Sequence, residues 1–364
     1  MRNWLFYPEN DIALANNQAG FTAPPAAQKL RRSGEILPLW MADDGDRVLC
    51  HGINEPWLSK IQQDFGITAD VWNHEDFSLE PTPWGWSRAS RKAFFNEGYL
   101  PDVLPSDETL DRYRQLSHRR TSAKLSQWLS ANSNLPMWPA AVEIFSEEEL
   151  RRTLEEYGYS VVKAPWSSSG RGVKFVDPQH IDSAIKQAIG TIGKQGSVMV
   201  EQWAQKHYDF AMLFYCNSEK ASFKGLSAMR ADEKGHYTGN LVGSQEFLHY
   251  EISKYVPGQL FDQISENLQR GIEALISAEY EGPLGIDLIW TGEKLHVAEI
   301  NLRFTMGFMA LGLARYVAGK ALYEVVPGDL SAQCDPTIIN NKLTAGRLAL
   351  TPPGGDFSFL LTAF

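Results

Sequence analysis

Residues 282–303 read GPLGIDLIWTGEKLHVAEINLR, and this stretch constrains the fold more than any other. Two apolar runs flank a TGEK turn, which is the pattern of a β-hairpin. Glu299, Asn301 and Arg303 fall at alternate positions, so on a strand they share one face. Three polar side chains on one face of an apolar strand are costly to bury unless each finds a partner. A hard cation is the natural partner for Glu and Asn, because both offer oxygen. Asp287 lies twelve residues before Glu299, in the first run. An odd number of loop residues puts Asp287 and Glu299 on one face, and an even number separates them unless a bulge intervenes. The competing reading leaves these charges on a solvated sheet face.

The chain has 364 residues, enough for two or three domains and a sizeable core. YSVVKAP, SVMVEQW, DFAMLFYC and SFKGLSAM read as further strands. Ser146 and Glu149 form a capping box ahead of a helix that Gly158 stops, and two more helices cover about 177–193 and 261–280. A helical stretch over about 107–130 precedes them and is broken by ANSNLPMWP. Residues 1–105 alternate short apolar runs with Pro- and Gly-marked loops, which predicts a small α/β domain. The tail, LTAGRLALTPPGGDFSFLLTAF, predicts one or two more strands.

Composition narrows the function. The formal net charge of −10 argues against broad binding to nucleic acid or anionic membrane. No apolar run approaches the roughly 20 residues that span a bilayer. Cys50, Cys216 and Cys334 form no CxxC pair, and the start MRNWLFYPEND lacks the apolar core of a secretory signal, so a cytoplasmic protein is expected.

Three other stretches carry chemistry. In KAPWSSSGRGV, Lys163 closes a strand and is followed by Trp166, Ser167, Ser168, Ser169, Gly170 and Gly172. Small residues leave amides open to phosphate oxygens, so this is either a lid over nucleotide phosphates or a solvated turn. In VMVEQWAQKHYDF a strand ends in Glu201, Gln202, Trp203 and Ala204, with Asp209 beyond. Such a hinge can present backbone groups and a flat apolar surface to a base. The first strand runs into Pro8, Glu9, Asn10 and Asp11, where ligands collect in open α/β sheets, although a proline-initiated turn reads the same way. Arg230 is a further candidate for a substrate carboxylate, or else a surface ion-pair partner.

The order of these pieces resembles the ATP-grasp superfamily over about residues 115–315. The resemblance implies an α/β fold with an N-terminal pre-ATP-grasp domain (1–115) and an ATP-grasp domain (116–320). The latter would hold a lid at about 140–205 and a metal-binding sheet at about 205–315, and residues 321–364 would complete the fold. It implies that Lys163 contacts the nucleotide phosphates and that Arg119 does so where many members have a lysine, with Arg120 as its alternative. SSSGRG would be the mobile loop, with Trp166 beside it as cover for the nucleotide. Glu201, Gln202, Trp203 and Ala204 would meet adenine, and Asp209 the ribose. Asp287, Glu299 and Asn301 would bind one or two Mg²⁺, with Mn²⁺ as the alternative, and Arg303 would stand beside the γ-phosphate. The implied chemistry is ligation of a small carboxylate to an amine through an acyl phosphate, with ADP and phosphate released. Phosphoryl transfer to an alcohol and ATP binding without turnover are the alternatives. Glu9, Asn10, Asp11 and Arg230 are the substrate candidates, and the resemblance admits a homodimer without fixing the oligomeric state. D-alanine–D-alanine ligases are similar around the hinge and metal strands, but carry an arginine where this chain has Gly285.

Overall fold

A computed structural model describes the chain except residues 53, 73, 168–171, 218 and 232–236. The first unit is a parallel sheet of order β3–β2–β1–β4, with β1 (Arg2–Leu5), β2 (Arg47–Val48), β3 (Asp70–Val71) and β4 (Glu80–Pro83). Four helices belong to it, α1 (Asn10–Asn16), α2 (Pro25–Gly34), α3 (Glu55–Phe65) and α4 (Arg88–Asn96). Their starts are encoded locally. The Asn54 side chain accepts from Trp57 N at 3.0 Å ahead of α3, and Ser87 and Ser90 form a capping box at α4. Strands β1 to β3 step to one side and β4 returns to the other side of β1. The strand order therefore reverses between β1 and β4, the place where open α/β sheets bind ligands.

Helices α5 (Asp107–Leu116) and α6 (Arg120–Asn132) follow. The periodicity predicts one helix here, and the structure breaks it at Ser117–Arg119. Next comes an antiparallel sheet of order β5–β8–β6–β7, with β5 (Val142–Ile144), β6 (Ser160–Lys163), β7 (Val173–Val176) and β8 (Val198–Gln202). Helices α7 (Glu147–Tyr157) and α8 (Ile181–Gln195) bury Leu150, Leu154, Ala184 and Ile185 against its Val162, Val198 and Val200. Ser146 caps α7 through Glu149 N, while the Glu149 carboxylate accepts from Phe145 N, one residue further back than a full capping box requires.

The largest sheet has the order β13–β12–β9–β10–β11–β14–β18–β17. Its strands are β9 (Tyr208–Asn217), β10 (Lys220–Ala231), β11 (Tyr237–Val242), β12 (Gly282–Trp290), β13 (Leu295–Asn301), β14 (Ala321–Pro327), β17 (Arg347–Ala349) and β18 (Phe357–Ala363). A small hairpin, β15 (Thr337–Ile339) and β16 (Lys342–Ala345), stands apart from it. The tail thus supplies three strands, β16 to β18, two of them in the main sheet. Among the helices α9 (Gln245–Ser253), α10 (Gln259–Leu275) and α11 (Met306–Leu313), α10 buries Phe261, Ile264, Leu268 and Ile272 at helical spacing. Gly271 lets α10 close on α6, because a Cβ there would stand 2.5 Å from Leu125 Cδ1. One core joins Trp4, Phe6 and Trp84 of the first unit to Met309 and Leu313 of α11 and to Phe359 and Leu361 of β18. This shared core fixes the carboxyl ends of β1 and β4 against the end of β13. Among the described residues no helix is long and apolar enough to cross a membrane.

Candidate functional site

The β12–β13 loop has four residues, Thr291–Lys294, an even count. Trp290 pairs with Leu295 and Leu288 with Val297, but then the register shifts, so that Asp287 faces Glu299 and Gly285 faces Asn301. Ala298 is the extra residue of this bulge. The bulge therefore brings both carboxylates to one face, and it also frees the Ala298 carbonyl, which accepts from Lys163 Nζ at 3.2 Å.

Asn301 Nδ2 donates to Asp287 at 3.0 Å, and Arg303 Nη2 donates to Asn301 Oδ1 at 2.9 Å. Arg303 is clamped from the first unit. Its Nε donates to Asp11 Oδ1 at 3.0 Å and its Nη2 to Asp11 Oδ2 at 2.7 Å. Burial, and then the like charge of Glu299, push the Asp287 carboxyl up to about 7. Two carboxylates and an amide oxygen on adjacent strands match the oxygen preference of Mg²⁺, and their mutual repulsion favours a cation between them. Among the described residues no group of three or more His, Cys, Asp and Glu could hold a metal ion.

Lys163, at the end of β6, faces this cluster. Its Nζ lies 2.6 Å from Glu201 Oε1, and His296 Nε2 lies 3.3 Å from the same oxygen. Lys163 is 9% exposed and Glu201 6%, so the pair is shielded from water. Burial alone would raise the Glu201 carboxyl, but Lys163 and His296 overcome it and hold it down at about 2. The folded value lies below the unfolded one, so the pair's stabilisation is complete above about pH 5 and is lost as pH falls towards 2. Glu201→Gln is expected to flatten the fall in melting temperature between about pH 5 and 3, and a fall as steep as that of the parent would remove Glu201 from this role.

The break between α5 and α6 positions Arg119. Its backbone N donates to Pro165 O at 3.1 Å, and its guanidinium donates to Ala164 O at 2.5 Å, Ser167 Oγ at 2.7 Å and Glu299 Oε1 at 2.7 Å. Arg119 thus bridges the neck of the small-residue loop to the metal strand, whereas Arg120 pairs with Glu143 at 2.8 Å. The neck closes through Ala164 N to Gly172 O at 2.7 Å. A Cβ on Gly172 would stand 2.4 Å from Ser167 Oγ, so only glycine fits. Ser168, Ser169 and Gly170 lie outside the described residues. Trp166 is buried under the Arg114 guanidinium, 3.8 Å from its ring centroid, and donates to Arg114 O at 3.0 Å. It anchors the neck to α5, in contrast to the nucleotide cover expected from its place in the sequence.

At the hinge, Gln202 O accepts from Trp138 Nε1 at 3.4 Å and Trp203 N donates to Tyr159 O at 3.0 Å, with Ala204 following. The Trp203 ring is half exposed and packs edge-on against Phe175. Asp209, opposite Ile289 on β9, pairs with Lys206, and burial raises its carboxyl. Its Oδ1 is buried without a partner among the described residues. At the β1/β4 switch point, Arg31 bonds Glu9 at 2.7 Å, while both amide atoms of Asn10 are buried and unpartnered among the described residues. Gly85 makes room for them, since a Cβ there would stand 2.6 Å from Asn10 Nδ2 and 2.8 Å from Arg303 Cβ. Arg230 is not brought to this cluster. It falls on the same face of β10 as Ala228, which pairs with Phe210 of the core, opposite the face of Ser227 and Ala211. Sequence reasoning missed His296, and it took Asp11 for a substrate contact, whereas the structure pairs Asp11 with Arg303. A lone histidine in an apolar strand carries no local signal, and Asp11 and Arg303 are 292 positions apart.

No family model matches the chain. It is 23% identical over 338 residues to a butirosin acyl-carrier protein–L-glutamate ligase from Niallia circulans, covering 87% of this chain and 75% of the relative. Among solved structures it is similar to biotin carboxylase from Campylobacter jejuni, with a TM-score of 0.58 and 13% identity over 100% of this chain and 87% of that one. It is also similar to phosphoribosylamine–glycine ligase from Thermotoga maritima, with a TM-score of 0.52 and 14% identity over 100% and 92%. The bulged hairpin, the facing strand-end lysine and these likenesses lead to one conclusion, that the chain has the ATP-grasp fold.

Proposed function

We propose that the chain is an ATP-dependent carboxylate–amine ligase that works through an acyl phosphate and releases ADP and phosphate. The observation that carries this reading is the bulged β12–β13 hairpin. It gathers Asp287, Glu299, Asn301 and Arg303 on one face, with Lys163 and Arg119 reaching over it. Asp287, Glu299 and Asn301 are the residues that would hold one or two Mg²⁺, which supplies charge neutralisation and alignment of the phosphates. Lys163 and Arg119 hold the nucleotide phosphates, Glu201 to Ala204 receive adenine, and Asp209, with its free oxygen, receives a ribose hydroxyl. Arg303 stabilises the charge that develops on the transferred group. Its Nε–H, both Nη2–H groups and one Nη1–H already serve Asp11, Asn301 and Phe304 O, which leaves a single Nη1–H to meet an oxyanion in a fixed direction. The lid that keeps water from the acyl phosphate is assigned to the stretch 166–172, of which 168–171 lie outside the described residues.

The name of the Niallia circulans relative favours an amino acid as one partner. A mixture of amino acids labelled with ¹⁸O in their carboxyl groups, incubated with Mg·ATP and a pool of amines, tests the route. The acyl-phosphate path moves one ¹⁸O into the released phosphate. Label recovered in AMP, or phosphate without label, would contradict it.

A further inference from the structure

A small cavity lies between α6 and strands β6, β8 and β13. Its volume is about 10 Å³, the room that one water molecule takes. Arg119, Ser122, Ala123 and Ser126, at the start of α6, line it from one face by their helical spacing. Ser122 Oγ accepts from Ile300 N at 3.0 Å, which pins that face to β13. His296 lines the cavity from β13, in the company of Lys163 and Glu201.

The polar atoms gathered here lack partners. Ser126 Oγ, Arg119 Nε and both ring nitrogens of His296 are buried without a hydrogen bond among the described residues. Ser126 and His296 are each 2% exposed and Arg119 is 6% exposed. A buried polar group left bare weakens a fold, and here one shared partner can serve three side chains. The rest of Arg119 is largely committed. Nη1 donates to Ala164 O and Ser167 Oγ, and Nη2 donates to Glu299. Its buried Nε–H is therefore the donor it offers inside, and one Nη2–H is left for a phosphate oxygen. His296 Nε2 lies 3.3 Å from Glu201 Oε1. With the ring proton on that side, Nδ1 carries a lone pair. A water molecule fits this set. Its oxygen accepts from Arg119 Nε–H, and its two O–H groups go to His296 Nδ1 and Ser126 Oγ.

We infer that the cavity holds one ordered water, and that Ser126 and His296 act through it as positioning residues for Arg119. The water joins Arg119 to the Lys163–Glu201 pair, so one network sets both cations of the nucleotide site. The inference rests on the ligase reading for the part these cations play, but its tests read density and binding, not turnover. A crystal structure of the full chain is expected to show one water within hydrogen-bond distance of Ser126 Oγ, Arg119 Nε and His296, and a dry cavity would overturn the assignment. The positioning role is read by calorimetric titration with Mg·ADP and with adenosine. Ser126→Val puts a methyl group where the water stands. It should weaken Mg·ADP about tenfold and leave adenosine unchanged, because adenosine brings no phosphate to Arg119. His296→Leu should weaken Mg·ADP to a similar degree, and the double variant no further, since both act through one water. His296→Gln keeps an acceptor and should recover most of the affinity. Mg·ADP bound by Ser126→Val as tightly as by the parent would overturn the positioning role. So would additive losses in the double variant, or equal losses for Mg·ADP and adenosine, the mark of a merely structural effect. A chain that passes these tests but forms no ADP from an acid and an amine loses the ligase reading and keeps the buried network.

Discussion

Glu299→Ala is expected to lower turnover at least a hundredfold while the chain stays folded. The size follows from position. Glu299 faces Asp287 across the bulged pair and is the only carboxylate that Arg119 contacts among the described residues. On the proposed function, removing it would take an oxygen ligand from the cation, and it releases Arg119 from β13. The cost in stability stays small, because the Glu299 side chain is 29% exposed and its ion pair is partly screened by solvent. Steady-state ADP release over a Mg²⁺ titration reads the effect, and Glu299→Gln separates loss of charge from loss of shape. Activity near that of the parent in either variant would remove Glu299 from the cation site.

Lys163→Met is the second large effect, and it acts on stability and binding together. The substitution leaves the Glu201 carboxylate buried with His296 alone and leaves the bulge carbonyl of Ala298 without its donor. An uncompensated buried charge of this kind costs about 3 kcal/mol. Nucleotide affinity should fall at the same time if, as proposed, Lys163 contacts the phosphates. The double variant Lys163→Met/Glu201→Gln separates the two. Denaturant unfolding should show most of the stability regained, while Mg·ADP titration stays weak. A double variant no more stable than Lys163→Met would show that the pair is not the source of the loss. Retained Mg·ADP affinity would take Lys163 out of phosphate binding.

The hairpin was legible in the sequence because alternation at Glu299, Asn301 and Arg303 is a local signal, and the TGEK loop marks its own position. The shared face of Asp287 and Glu299 was not, since an even loop separates them and only the bulge at Ala298 restores it. The break at Ser117–Arg119 was hidden as well. Apolar spacing continues through Leu110, Leu116, Leu125 and Leu129, and the turn is fixed by contacts of Arg119 with Pro165, Ala164 and Ser167 far along the chain. The Asp11–Arg303 clamp joins the first strand's end to the last metal strand, so nothing in either segment announces it. Trp166 marks the limit of proximity arguments, since it stands beside the loop in sequence and is buried under Arg114. Arg230 carried no positional signal and is turned to the face opposite Ser227 and Ala211.

The most direct measurement is phosphate release from Mg·ATP, with ADP and AMP quantified, across pools of amino acids, dipeptides and small carboxylates with and without amines. The account predicts equimolar ADP and phosphate, formed only when an acid and an amine are both present. AMP with pyrophosphate, or ADP formed without free phosphate, would contradict it.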